Sequence, residues 1–301
     1  IYTPTHTLSL HDALPISYST DLNRQLKVIK ELQPKDLRNY YQRTVGPENT
    51  IIGIAGNFNL ENMTALVKKE FESWSRNDIR LEKPSLEGRT DSFGEVVLVD
   101  KPDATQAQIK MGYKIDYIPF ADRIAFRMAN MVFGGDYSSR LMENLRSKKG
   151  YVYGIYSSMN LNFLGGDYYI QTEVKPEKTW EAVNSVKEEM KQLKNGEKPL
   201  TEAELFKNIN LYNALFPTNF KNEIAVLDRI IYDIELRART ENYINRYIKG
   251  YNNLKSEEAR AAFAEFISTQ KLTTVIVGNK EKIMPSLKEA GVEVRLITGL
   301  F

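Results

Sequence analysis

The chain has 301 residues, with 41 Lys and Arg against 39 Asp and Glu, two histidines and no cysteine. A net charge of +2 gives no nucleic-acid footprint, and the lack of cysteine excludes disulfides and thiolate chemistry. Hydrophobic residues make up 42% and charged residues 27%, enough to build a core in about two domains, and no apolar run reaches the ~20 residues of a membrane helix.

Ile1–Ser17 (IYTPTHTLSLHDALPIS) has no basic start and no long apolar stretch, so it does not read as a signal peptide. It resembles a translated sequencing-adaptor read-through and is set apart as a non-native leader at 1–17. Both histidines, His6 and His11, fall inside it. Asp21–Leu32 then carries Leu22, Leu26, Ile29 and Leu32 on one helical face. Pro34 opens a second helix, PKDLRNYYQRTV, which Gly46-Pro47 ends. Thr50–Ala55 (TIIGIA) predicts a short buried strand, Gly56-Asn57 a turn, and Leu60–Phe71 an amphipathic helix with Met63, Val67 and Phe71 on one face. Arg76–Ser92 is polar and contains Pro84 and Gly88, which suits an interdomain linker, placed at 81–93.

Glu95–Asp100 and Gln106–Tyr113 predict strands, the second by its period-two alternation. Phe120–Phe133 predicts a helix broken by Gly134-Gly135, and Ser138–Lys148 a second short one. Tyr151–Leu161 and Gly166–Val174 read as paired strands. Lys178–Lys194 reads as a helix with Trp180, Val183, Met190 and Leu193 inward. Thr201-Glu-Ala-Glu204 is a capping box before a long helical region interrupted near Pro217. Helix Ser256–Ser268, strand Thr273–Val277 and helix Glu281–Ala290 close the chain.

A shift of 222 residues lays Leu32–Tyr41 (LQPKDLRNYY) over Leu254–Phe263 (LKSEEARAAF), and Ile54–Asn57 (IAGN) over Ile276–Asn279 (IVGN). Each copy is helix, apolar strand, Gly-Asn turn, helix. Both copies are closing parts of a unit about as long as the offset. The second has room for a front half from about Gly94; the first does not. The expected layout is therefore 18–80 as the closing part of a truncated first domain, the linker, and 94–301 as a complete second domain.

Asp100-Lys-Pro-Asp-Ala-Thr-Gln106, followed by Gly134-Gly-Asp-Tyr-Ser138-Ser139-Arg140-Leu and then Arg146, Gly150 and Tyr153, resembles the insulinase/pitrilysin (M16) family of zinc metallopeptidases from about Tyr18 to the end. Ser138 or Ser139 can cap the helix that carries Arg146. Arg146 offers a fixed fork of donors with permanent charge, and Tyr153 a hydroxyl on a rigid ring. The resemblance implies that this pair holds substrate and stabilises the oxyanion at a zinc site borne by the other domain. Read without it, Arg146 pairs with Glu143 or caps helix carbonyls, and Tyr153 fills a sheet face.

The family's inverted His-x-x-Glu-His zinc motif is absent. His6 and His11 are five apart with no glutamate between them. The sequence thus predicts no catalytic residue and no metal ligand in this chain. Zinc belongs to the intact protein, and the chain alone is expected neither to bind it nor to cleave peptides. The resemblance implies an α+β fold of duplicated, mostly antiparallel sheets with helices on one face. The implied function is the substrate-handling part of a zinc metalloendopeptidase acting on unstructured peptides. Alternatives are a metal-free partner subunit of a heteromeric M16 peptidase and a non-enzymatic assembly homologue; the partners implied are an unstructured peptide and a zinc-bearing M16 subunit or a second copy of the chain. No nucleic acid or membrane span is expected, and a soluble protein of unknown compartment, cytoplasmic or bacterial periplasmic, is implied.

Overall fold

The computed structural model describes residues 2, 3, 6, 7, 22–75, 93–162, 165–234 and 243–299. The expected leader lies outside the described residues apart from β1 (Tyr2–Thr3) and β2 (His6–Thr7), an antiparallel pair. The expected linker at 81–93 lies outside them apart from Phe93. The chain forms two compact units. One contains residues up to 88 with Asn222–Ile231, and the other residues 89–221 with Tyr232–Phe301.

The smaller unit contains α1 (Leu22–Glu31), α2 (Pro34–Thr44) and α3 (Leu60–Phe71). Across residues 25–75 of this unit only Gly46 is buried. Thr50–Ala55 is not a strand, contrary to its apolar pattern, and Ile51, Ile52 and Ile54 are exposed. A strand exists only by pairing, and no described residue pairs with this one.

The larger unit holds a mixed sheet of β3 (Val96–Asp100), β4 (Ala107–Ile115), β5 (Val152–Asn162), β6 (Gly165–Val174), β7 (Thr273–Gly278) and β8 (Arg295–Ile297). Their order is β5-β6-β4-β7-β3-β8. β5, β6, β4 and β7 are antiparallel in turn, whereas β3 is parallel to both β7 and β8. β8 had no signal in the sequence; it is three residues long, and Arg295 on it pairs with Glu95.

The alternation expected for β4 is observed. Ala107, Ile109, Met111, Tyr113 and Ile115 are buried, while Gln108, Lys110 and Lys114 are exposed. The buried face meets α4 (Phe120–Asn130), α5 (Thr179–Asn195) and α6 (Glu202–Leu215) in one core, together with α9 (Ser256–Phe266) and α10 (Lys280–Glu289). Phe133 and Phe263 lie 5.1 Å apart in it, and Phe126 and Tyr168 5.9 Å apart. The break near Pro217 is a 3₁₀ segment, Phe216–Phe220, leading into α7 (Glu223–Ile234); α8 (Tyr243–Asn252) follows.

The internal repeat is visible in the backbone. α2 and α9 begin at Pro34 and Ser256 and end at Thr44 and Phe266, each pair 222 positions apart. The Asp36 carboxylate accepts the Gln33 N–H at 2.9 Å, and Glu258, in the same register, accepts that of Lys255 at 2.9 Å. The register then slips by two. The cap of α3 is Asn59 rather than Asn57, whereas Asn279 caps α10. Phe58-Asn59 is thus a two-residue insertion after the Gly-Asn turn.

Candidate peptide-binding site

The Gly134-Gly135 pair does not end α4 by a left-handed turn. The helix widens into a π-helical turn over Met131–Gly135. Gly134 is needed for close approach: a Cβ there would lie 2.6 Å from Ser157 Oγ on β5 and 2.8 Å from Leu141 Cδ1. Ser157 Oγ donates to Asn130 Oδ1 at 2.7 Å, tying the end of α4 to the strand.

Asp136, Tyr137 and Ser138 form the next turn. Asp136 accepts the Ser138 N–H at 2.9 Å and the Ser138 hydroxyl, so Ser138 is occupied and Ser139 caps, its Oγ accepting the Met142 N–H at 3.5 Å. Burial works against ionisation of Asp136, but these donors outweigh it and hold its carboxyl below the ordinary value. Arg140 then anchors the motif. It makes two 2.7 Å bonds to Glu204 and donates to the Lys198 and Pro199 carbonyls. Glu204 also closes the capping box with Thr201. Burial opposes its charge, yet Arg140 and Thr201 bring its pKa down to about 2.

Arg146 lies in a second π-helical segment, Met142–Lys148. The segment ends at Gly150, which takes φ +62° and lets the Tyr151 N–H reach back to the Leu145 carbonyl at 2.9 Å. The Arg146 guanidinium carbon lies 5.0 Å from the Tyr153 ring centroid and 4.8 Å from that of Tyr137. Glu143, the carboxylate expected as an alternative partner, instead pairs with Lys148 at 3.5 Å. Tyr153 does not fill a sheet face: it is 85% exposed, at a register shift of β5 between Val152 and Ile155. Such bulges turn a side chain away from its strand's regular alternation. The two residues singled out from the sequence are therefore adjacent. Tyr137, which sequence reasoning did not select, joins them and is 60% exposed.

Tyr153 borders a groove of about 820 Å³ on the face of the sheet that carries Gln108 and Lys110. Gln108, Lys110, Tyr156, Tyr169, Gln171 and Glu173 line it. Lys110 Nζ stands 4.0 Å over the Tyr169 ring, and Gly112 keeps that row open, since a Cβ there would lie 2.6 Å from the Tyr168 carbonyl oxygen. Polar and aromatic side chains line the groove side by side.

A family profile described as "Peptidase M16 inactive domain" matches residues 31–212. The chain belongs to the M16 peptidase family. This M16 chain is 26% identical over 273 residues to the zinc protease PqqE of Helicobacter pylori, covering 87% of the chain and 57% of that protein. It is 27% identical over 215 residues to the uncharacterized zinc protease YmxG of Bacillus subtilis, covering 66% and 50%. Its fold matches the crystal structure of a peptidase M16 inactive domain from Pseudomonas fluorescens with a TM-score of 0.69 at 18% identity, over 84% of this chain and 59% of the other. The chain spans from about a third to a little over half the length of the curated relatives it matches.

Zinc is the metal these relatives' names imply. The described residues do not fit it: among them no group of three or more His, Asp or Glu side chains is placed to hold an ion. His6 sits in β2, and His11 lies outside the described residues. No helix among the described residues is long and apolar enough to cross a membrane.

Proposed function

We propose that this M16 chain is the substrate-handling portion of a zinc metalloendopeptidase that hydrolyses unstructured peptides. In this reading residues 18–80 close a first, zinc-bearing domain, 81–93 link, and 94–301 form the substrate-handling domain. The observation that carries the reading is the Arg146 guanidinium, which lies beside Tyr153 of the groove and forms no ion pair with a carboxylate among the described residues.

An extended peptide adds to the edge of the sheet at β5, the outermost strand among the described residues, near the β5–β6 register shift that exposes Tyr153. Arg146 directs two parallel N–H groups, and Tyr153 its O–H, at the carbonyl oxygen of the bond to be cut. When water attacks the carbonyl carbon, the C=O π pair moves onto that oxygen. Donors bind the resulting anion more strongly than the neutral carbonyl, so the pair stabilises the transition state more than the substrate. The metal, when present, supplies the activated water; its ligands and the general base belong to the rest of the protein or to a partner.

Binding of a labelled unstructured peptide to the purified chain tests this. Arg146→Ala should weaken binding about 10- to 100-fold, the worth of a charge-assisted hydrogen bond, and Tyr153→Phe less. In the intact peptidase both should lower kcat. Unchanged binding by Arg146→Ala, or zinc-dependent hydrolysis by the 301-residue chain alone, would overturn the reading. The second reading, a metal-free subunit paired with a zinc-bearing one, is separated by the genomic sequence upstream of Tyr18. An in-frame His-x-x-Glu-His favours one chain, and a complete metal-free first domain favours the subunit.

A further inference from the structure

We propose that Tyr137 is a positioning residue that holds the Arg146 guanidinium in the orientation peptide binding needs. The proposal rests on the reading of Arg146 as the peptide-binding donor. An arginine side chain has several rotatable bonds and is oriented only by what it touches. Arg146 is half-buried, and its contacts are ring faces: Tyr137 at 4.8 Å and Tyr153 at 5.0 Å. The nearest carboxylate in sequence, Glu143, is taken by Lys148. A ring face attracts the cation without using its N–H groups, so the fork stays available to a ligand.

Tyr137 is itself fixed through its backbone. It sits between the two π-helical segments, flanked by Asp136, whose carboxylate accepts from Ser138 and whose carbonyl accepts the Ser139 N–H at 3.1 Å. A large aromatic side chain that is 60% exposed contributes little to the core, which leaves the guanidinium contact as its structural role here. The interaction needs the ring and not the hydroxyl. Phenylalanine therefore substitutes for Tyr137 and alanine does not.

The test uses the full 301-residue chain and two measurements. One is the order parameter of the Arg146 side-chain Nε–H by ¹⁵N relaxation; the other is the affinity for a labelled unstructured peptide. The wild type and Tyr137→Phe should show the same restricted Nε–H. Tyr137→Ala should loosen it and weaken peptide binding about two- to fivefold. The double variant Tyr137→Ala/Arg146→Ala should bind no more weakly than Arg146→Ala alone. An unchanged Arg146 order parameter in Tyr137→Ala overturns the proposal, as does a Phe variant as loose as the Ala variant. If Arg146→Ala keeps wild-type affinity, the peptide-binding reading fails, while the order parameter still decides whether Tyr137 holds Arg146.

Discussion

Tyr41 and Phe263 occupy the same position of two equivalent helices, yet Tyr41 is 56% exposed and Phe263 is wholly buried. The neighbouring pair behaves alike: Leu37 is exposed and Ala259 buried. The difference lies in what covers each helix. α9 packs on α4, and Phe263 meets Phe126 at 6.3 Å and Phe133 at 5.1 Å. Phe263→Ala should therefore destabilise the chain by about 3–5 kcal/mol, whereas Tyr41→Ala should change stability by no more than about 0.5 kcal/mol. Urea midpoints of the two variants decide this; comparable losses would mean that Tyr41 is packed in solution.

The same contrast marks what the sequence could show. The starts of α2 and α9, Pro34 and Ser256, were legible because proline and periodicity are local signals, while the helices end at Thr44 and Phe266, one and two residues before the expected Val45 and Ser268. Thr50–Ala55 misled because its strand character depends on partners distant in sequence. In β7 the matching residues pair with β3 and β4, well over a hundred positions upstream. The π-helical turns at Met131–Gly135 and Met142–Lys148 keep helical composition while changing the period, so the pattern did not reveal them. Arg146 and Tyr153 came from the resemblance to the M16 family, since their local pattern alone also fits a helix cap and a sheet-face tyrosine. Tyr137 was hidden because nothing distinguishes one of 17 tyrosines until a guanidinium is found against its ring.

The Arg140–Glu204 pair makes stability pH-dependent. Glu204 titrates near 4.5 in the unfolded chain and at about 2 when folded. A depressed carboxylate stabilises the fold fully above its unfolded value and loses that contribution as pH falls from 4.5 towards 2. Its side chain is one-third exposed, so solvent screens part of the effect. Arg140→Ala should cost about 2 kcal/mol at pH 7, because it removes two charge-assisted bonds and releases the Lys198 and Pro199 carbonyls. Thermal midpoints followed from pH 6 to pH 2.5 should fall more steeply in the wild type than in Glu204→Gln. Parallel curves would show that the pair does not set this dependence.

Gly134 and Gly150 are required for different reasons, and alanine should separate them. At Gly134 a Cβ would collide with Ser157 Oγ and Leu141 Cδ1, so Gly134→Ala must spread α4 from β5, at about 2 kcal/mol. At Gly150 nothing lies within 4 Å, and the penalty is the left-handed φ of +62° alone, about 1 kcal/mol. Gly150→Asn should recover part of that loss, since asparagine tolerates the left-handed region; Gly134→Asn should be worse than Gly134→Ala. Denaturant midpoints of the four variants test the assignment.

Asn59 and Asn279 provide equivalent caps with unequal surroundings. Each accepts a backbone N–H three residues on, Asn62 at 3.0 Å and Lys282 at 3.2 Å. Losing such a cap costs about 1 kcal/mol. Asn279 also donates from Nδ2 to the Pro102 carbonyl at 2.7 Å, joining the turn after β3 to the start of α10, where Asp100 accepts the Lys280 N–H at 3.1 Å. Asn279→Ala should therefore cost about 2 kcal/mol and raise hydrogen exchange in both α10 and the Lys101–Ala104 turn. Asn59→Ala should raise exchange in the first turn of α3 alone. Aspartate restores the cap at either site but not the donor to Pro102, so Asn59→Asp should match wild type and Asn279→Asp should fall between wild type and Asn279→Ala. If Asn279→Asp matches wild type, the Pro102 bond contributes nothing and the two caps are energetically equal.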